Sequence, residues 1–194
     1  MQLVFATNNL NKIKEVQSVL GDTIELLSLK DVGCEEELPE NEPTLEGNSL
    51  SKAKYVFDNY GVNCFADDTG LEVSALNGAP GVYSARYSGV GATDSKNIAL
   101  LLKNLQGMEN RSARFRTIFT LILDGKMHQF EGIINGEIAK NPSGNQGFGY
   151  DPVFIPENWS KSFAECSKEE KNTISHRAIA TKKLIEYLLS RYSA

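Results

Sequence analysis

Cysteine and histidine are scarce in this 194-residue chain: three of the first, Cys34, Cys64 and Cys166, and two of the second, His128 and His176. The cysteines are odd in number and widely spaced, with no CxxC pair, which excludes a disulfide-stapled secreted domain and fits a reducing, cytoplasmic setting. A zinc centre would have to be assembled from scattered singletons, so zinc is set aside. No apolar run approaches the length that crosses a bilayer, and the opening Met1-Gln2-Leu3-Val4-Phe5-Ala6 carries no basic leader. Neither export nor membrane anchorage is expected. Positive charge is also in deficit. A net charge of -5 disfavours nucleic acid as the partner, because that affinity comes largely from clustered Lys and Arg, so any polyanion bound here must be small. Repeats, biased tracts and long Pro/Gly/Ser linkers are missing, so no boundary can be drawn within residues 1–194. With 41% hydrophobic residues the chain can bury a proper core as one domain, or as one domain folded in two lobes.

What is present is a mixture of helical and extended patterns. Residues 2 to 6 read as a short buried strand, followed by the turn Thr7-Asn8-Asn9 and a helix with Ile13, Val16 and Leu20 on one face. The acidic segment from Glu35 to Glu42 reads as a solvated loop. Residues 44 to 60 form a second helix, with Leu50, Ala53, Phe57 and Tyr60 at helical spacing, and lead into a strand expected to end at Asp67. A third helix carries Ile98, Leu101, Leu102 and Leu105. From Ala113 to Leu123 alternation is partial, with Phe115, Thr117, Phe119, Leu121 and Leu123 on one side if extended. Asp124-Gly125 is a strong hairpin signal, and Met127 to Ile138 returns as the partner strand. Near the end, Ser167-Lys168-Glu169-Glu170 fits a capping box, and Ser175 can cap a last helix bearing Thr181, Leu184, Leu188 and Tyr192. Helices interleaved with an antiparallel hairpin imply an α/β domain with a mixed sheet.

Five segments carry chemistry. The adjacent carboxylates Asp67 and Asp68, where Cys64-Phe65-Ala66 breaks into Thr69-Gly70, concentrate negative charge as a magnesium site does. Mg2+ needs only one or two carboxylates, completing its shell with water and phosphate oxygens. The loop Thr7-Asn8-Asn9-Leu10-Asn11-Lys12 offers hydroxyl, amide and backbone donors at a helix N-terminus, a place suited to phosphate. It lacks the glycines and GK[ST] ending of a P-loop, which removes the main support for a kinase or GTPase. Lys52 adds a second positive charge, with Glu46 and Asn48 as oxygen ligands at the start of its helix. Gly147-Phe148-Gly149-Tyr150-Asp151-Pro152 sets aromatics among glycines that permit close approach, so a planar ring could stack there. Ser175-His176-Arg177 supplies donors, which the O6 and N7 acceptors of a 6-oxo purine require and the amino group of adenine does not. His176 and Arg177 oppose the dipole at a helix start, hinting at a bound anion or another compensating contact.

In this order the segments resemble the inosine triphosphate pyrophosphatase family. The most specific pieces are Ala66-Asp67-Asp68-Thr69-Gly70-Leu71, the run Gly78-Ala79-Pro80-Gly81-Val82-Tyr83-Ser84-Ala85-Arg86-Tyr87, then Phe148-Gly149-Tyr150-Asp151-Pro152, and Ser175-His176-Arg177. The resemblance spans nearly the whole chain. It implies an elongated mixed β-sheet with flanking helices, forming two lobes around a nucleotide-binding cleft, in a homodimer. It also implies cleavage of ITP, dITP and XTP between the α- and β-phosphates, with Mg2+ as cofactor. By position, Thr7, Asn8, Asn9 and Lys12 would hold the triphosphate, Asp68 would bind metal and accept a proton, Asp67 would support the metal site, and Thr69 would contact the nucleotide. Phe148 would stack on the base, Gly149, Tyr150 and Asp151 would shape its pocket, and Lys171, His176 and Arg177 would meet the purine edge, with Lys52 assisting on phosphate charge. One segment departs from the pattern. The family often has Thr-x-x-Glu-Asn-Ala, whereas Thr44 is followed here by Glu46-Gly47-Asn48-Ser49. One residue on a helix is about 100° of rotation, which leaves Glu46 to reach the ion through water or a local adjustment at Gly47.

Two rival readings use the same residues. A non-catalytic nucleotide sensor would need the base pocket and phosphate loop but not the intact Asp67-Asp68 pair. A single-strand nucleic-acid binder stacking bases on Phe148 and Tyr150 is disfavoured by the acidic charge. The Ser175-His176-Arg177 segment favours purine over a modified pyrimidine.

Overall fold

The computed structural model describes residues 2–21 and 24–192, without the side chain of Tyr192. The expected place of Tyr192 on the last helix face lies outside those residues. The strands are β1 (Gln2–Phe5), β2 (Glu25–Leu27), β3 (Cys64–Val73), β4 (Pro80–Gly81), β5 (Ser112–Leu123), β6 (Lys126–Ile138) and β7 (Phe154–Pro156). The helices are α1 (Leu10–Leu20), α2 (Leu45–Tyr60), α3 (Asp94–Asn104), α4 (Lys168–Ile174) and α5 (His176–Tyr192). Among the described residues the seven strands form one sheet in the order β2-β1-β3-β5-β6-β7, with β4 paired to β3. β1 runs parallel to β2 and β3, whereas the β3–β4 and β6–β7 pairs are antiparallel, so the sheet is mixed.

The chain folds into two compact units, each built from separated stretches. The first comprises residues 1–68, 117–132 and 176–194, and the second residues 69–116 and 133–175. The chain passes repeatedly from one unit to the other, which is why no linker marks a boundary in the sequence. In the first unit, strand alternation sorts side chains onto two faces that are both covered. Leu3, Phe5, Phe65, Phe119, Leu121 and Leu123 pack with α1 and α5, while Val4, Ala6, Cys64, Ala66 and Ile122 pack with α2. This double burial explains why the alternation of β5 is only partial in the sequence. Phe5 and Phe65 stack at 4.4 Å with Phe119 tilted against both. The second unit buries Leu71, Val73, Ile98, Leu101, Phe115, Phe154 and Phe163.

The local signals operate as their chemistry requires. Asn9 caps α1 by accepting from the amides of Asn11 and Lys12, Thr44 caps α2, and Ser167 with Glu170 forms a complete capping box on α4. Asp124 and Gly125 adopt φ of +51° and +75°, the pair of left-handed residues that a two-residue hairpin turn demands. Cys34, Cys64 and Cys166 are free and buried, and burial raises the Cys64 thiol to about 12. No described helix is long and apolar enough to cross a membrane.

One element differs from expectation. β3 does not end at Asp67 but continues through Asp68, Thr69 and Gly70 to Val73. Asp and Gly disfavour strands, yet here tertiary partners outweigh propensity. Thr117 donates its hydroxyl to the Asp68 carbonyl at 3.1 Å, and Gly70 faces the β4 backbone so closely that a Cβ would lie 2.7 Å from the Gly81 carbonyl oxygen.

Gly132 of β6 sets the entry of α5. A Cβ there would stand 1.9 Å from the His176 carbonyl oxygen, so only glycine lets the first turn of α5 lie against the strand. Gly132→Ala is expected to destabilise the protein by about 1–3 kcal/mol, seen as a lower urea midpoint. An unchanged midpoint would mean that α5 moves away from β6 without cost.

Candidate active site

In the first unit, β3 delivers Asp67 and Asp68 side by side, and successive strand residues point to opposite faces. The two carboxylates therefore meet different partners. Asp67 has no exposed surface. Its Oδ1 accepts from Lys12 Nζ of α1 at 2.9 Å, and its Oδ2 from Arg177 of α5 at 3.4 Å. Arg177 is itself buried and also pairs with Glu15 of α1. These carboxylates are the compensating contact that the cationic start of α5 needs. The resemblance puts Arg177 at the purine edge, whereas its terminal nitrogens hold Glu15 and Asp67. Asp68 retains slight exposure, 8%. Its Oδ2 accepts from Asn48 Nδ2 at 3.0 Å, and its Oδ1 lies 3.6 Å from Lys52 Nζ.

Asn48 and Lys52 stand one turn apart on the buried face of α2 and both reach Asp68. Lys52 also donates to Glu40 at 2.6 Å, and Glu40 is more than two-fifths exposed. Glu40 comes from the acidic loop that reads as merely solvated, so sequence reasoning missed it. The signal available was the spacing of that loop just ahead of the Lys52 helix. Glu46, two residues from Asn48, is turned about 200° around α2 from it. Its backbone carbonyl accepts from Gln129 at 3.4 Å. Glu40 and Asp68 both approach Lys52 Nζ. Thr7 Oγ1 accepts from the Asn9 amide at 3.2 Å, Asn9 Oδ1 accepts from the Asn11 and Lys12 amides, and Asn8 is exposed in the β1–α1 loop ahead of Lys12.

The two aspartates are tuned in opposite directions. Burial opposes ionisation of Asp67, but Lys12, Arg177 and Lys52 together overcome it and hold the carboxyl well below its usual range. For Asp68, burial outweighs Lys52 and the Asn48 hydrogen bond, and the carboxyl is raised. Burial also lowers Lys12, helped by the nearby charges of Lys52 and Arg177, whereas at Lys52 the carboxylates Asp67, Asp68 and Glu40 outweigh burial and raise it.

In the second unit, Thr69 is half-buried on β3. Phe148 to Asp151 form a turn in which the buried Asp151 carboxylate accepts from the Phe148 amide at 2.9 Å and from Lys171 Nζ at 2.6 Å. Gly147, at φ +75°, is required there: a Cβ would come within 2.0 Å of the Asp151 carboxylate. Lys171 Nζ lies 5.2 Å from the centre of the Phe148 ring. Tyr150 spends its hydroxyl on the Ser84 carbonyl at 2.8 Å, so it shapes the turn from within the core. His176 is buried at the start of α5, in the first unit.

The donor set suits a hard cation. Asp68 and Glu40 offer carboxylate oxygens, and among the described residues no group of three His, Cys, Asp or Glu side chains could enclose a metal. Carboxylate oxygens are the protein ligands that Mg2+ takes when water and phosphate oxygens fill the rest of its shell.

The sequence model described as the Ham1 family matches residues 3–187. The dITP/XTP pyrophosphatase of Flavobacterium johnsoniae is 55% identical over 188 residues, covering 97% of this chain and 98% of the relative, and that of Flavobacterium psychrophilum is 54% identical over 187 residues, covering 96% and 98%. Among solved structures, the Staphylococcus aureus Ham1 protein superimposes with a TM-score of 0.90 at 35% identity, covering 98% of this chain and 100% of that one. The nucleoside-triphosphatase, or dITP/XTP pyrophosphatase, of Mycobacterium abscessus superimposes at 0.77 with 42% identity, covering 95% and 98%.

The opposite tuning has opposite consequences for stability. The depressed Asp67 stabilises the fold above the unfolded carboxyl value of about 3.9, and that contribution is lost as pH falls through its folded value. The raised Asp68 costs stability as pH rises from the unfolded value through the higher folded one. In urea at pH 7, Asp67→Asn is expected to lose about 3–5 kcal/mol, because Lys12 and Arg177 lose their shared counter-charge. Asp68→Asn is expected to unfold at the parental midpoint or above it. The reverse order would show that Asp68, not Asp67, anchors the cluster.

Proposed function

From the premise that this chain belongs to the Ham1 family, we propose that it hydrolyses deaminated purine nucleoside triphosphates, ITP, dITP and XTP, to the monophosphate and pyrophosphate. Its close, nearly full-length relatives are dITP/XTP pyrophosphatases. The observation that carries the reading is the paired but unequal Asp67 and Asp68 beside Lys12 and Lys52. One carboxylate locks the cations in place and the other is left basic.

Asp68 takes the proton of the attacking water: its carboxylate keeps residual exposure and is held in place by Asn48 and Lys52. Asp67 keeps its charge, and with it the orientation of Lys12 and Arg177. Thr7, Asn8, Asn9 and Lys12 bind the triphosphate at the start of α1, where the helix dipole and the Lys12 ammonium favour anions. Lys12 and Lys52 offset the charge that collects on departing pyrophosphate. Magnesium would be held by Asp68, with Glu46 the second ligand expected from the sequence and Glu40 close by on Lys52, and would supply charge neutralisation and activation of water.

Phe148 stacks on the base, Gly149, Tyr150 and Asp151 hold its turn, and Thr69 contacts the nucleotide. Lys171 and His176 donate to the O6 and N7 acceptors of the purine. Adenine would set its amino group against those donors, leaving both unpaired at a cost of about 1–3 kcal/mol for each buried group. Residues 1–194 act as one pyrophosphatase domain. The enzyme works in the cytoplasm, as a homodimer, with neither nucleic acid nor membrane as partner.

Incubation with ITP, XTP, GTP and ATP, each with and without Mg2+, tests the assignment by chromatography of the products. Monophosphate and pyrophosphate from ITP and XTP, little from ATP, and a fall of about 10²–10⁴ in Asp68→Asn are expected. Tight binding of ITP without turnover would make the protein a sensor, and orthophosphate alone would discard the pyrophosphohydrolase chemistry.

A further inference from the structure

Phe148 stands between Gly147 and Gly149, whose φ angles are +75° and +62°. Glycine imposes little preference of its own, so bonds from elsewhere fix the backbone from which the Phe148 ring projects. Two carboxylates provide them on consecutive amides. Asp151 accepts the N–H of Phe148 at 2.9 Å from inside the core, and Asp94 accepts the N–H of Gly149 at 2.7 Å across 55 positions of chain.

Asp94 is not needed to cap its own helix. Thr93 precedes α3 and its hydroxyl accepts from the Lys96 amide at 3.3 Å. The exposed Asp94, first residue of α3, directs its carboxylate to Gly149 instead. α3 is a rigid base for that contact. Asn97, one turn on, is buried; it accepts from the Ser88 amide at 2.8 Å and donates to the Ser84 carbonyl at 3.3 Å, the same carbonyl that takes the Tyr150 hydroxyl. The start of α3 and the Phe148–Asp151 turn thus share an anchor, and Asp94 closes the loop between them on its solvent side.

We propose that Asp94 is a positioning residue for base recognition: it holds the Gly149 amide so that Phe148 presents its ring to the purine. This rests on the stacking role given to Phe148 above. Asp94 acts through the turn and touches neither phosphate nor the attacking water, so its loss weakens selection of the nucleotide and spares the chemistry.

The test is steady-state hydrolysis of ITP by Asp94→Ala, Asp94→Asn and Phe148→Ala, with tripolyphosphate as a base-free competitive inhibitor. Asp94→Ala is expected to raise KM about five- to tenfold, with kcat within about twofold and inhibition by tripolyphosphate unaltered. Asp94→Asn keeps an oxygen acceptor at the same reach and should restore most of the parental KM. A fall in kcat with KM unchanged, or an Asn variant as impaired as the Ala variant, would overturn the proposal. If Phe148→Ala raises KM while Asp94→Ala does not, the role of Asp94 fails alone. If Phe148→Ala leaves KM unchanged, the stacking reading fails with it. Amide hydrogen exchange in the parent protein provides a measurement independent of how the variants fold: Gly149 should be protected, and rapid exchange there would refute the contact.

Discussion

A carboxylate with no exposed surface, in the middle of a ten-residue strand, is the constraint around which the first unit is arranged. Asp67 is kept ionised there by Lys12 and Arg177, which reach it from α1 and α5, with Lys52 nearby. Glu15 in turn balances Arg177, so α1 and α5 are tied to β3 through one chain of charges as well as through the packing of Val16, Leu20, Leu184 and Leu188. Buried ion pairs add little to stability relative to a well-packed apolar core, because desolvation offsets most of the attraction. What they add here is direction. The cations of two helices converge on one point of the sheet, in one arrangement, before any substrate arrives.

The neighbouring Asp68 shows why two adjacent acids are more useful than one. Alternation along β3 turns it away from that cluster toward Asn48 and Lys52, and its surroundings make it hold a proton more tightly while Asp67 gives its proton up. Two chemically identical side chains thus meet opposite surroundings, one fully buried between cations and the other partly open beside Asn48 and Lys52. Lys52 joins the second carboxylate to Glu40, which brings the acidic loop into the same neighbourhood. The second unit follows a similar logic on a smaller scale. Asp151 binds Lys171 and the Phe148 amide, and its close approach to Gly147 excludes any side chain there.

Much of this was legible in the residues. The helices α1, α2 and α3, the Asp124-Gly125 hairpin and the Ser167 capping box follow from spacing and from local hydrogen-bond chemistry, which act within a few residues. Lys12, Lys52, Asp67 and Asp68 could be picked out as one charge system, and the motifs carried the family. The residues after Asp67 read as a turn because the pairing with β4 and the Thr117 hydrogen bond that keep β3 extended come from distant parts of the chain. Glu40 was passed over because a loop of repeated acids looks solvated until one of them is found on a buried lysine. Asp94 lies far in sequence from the turn it holds, and nothing near it announces that contact.

By itself the sequence determined the α/β class, the kinds of element and their order, and the chemical identity of the charged groups gathered at β3. Local propensity and side-chain chemistry are properties of neighbouring residues and survive without a fold. Tertiary structure alone decided which acid is locked and which is basic, which carboxylate joins Asp68 at Lys52, and where the guanidinium of Arg177 goes. Those outcomes depend on burial and on partners 12 to 162 positions away, and the energy of a charge changes sign with its surroundings.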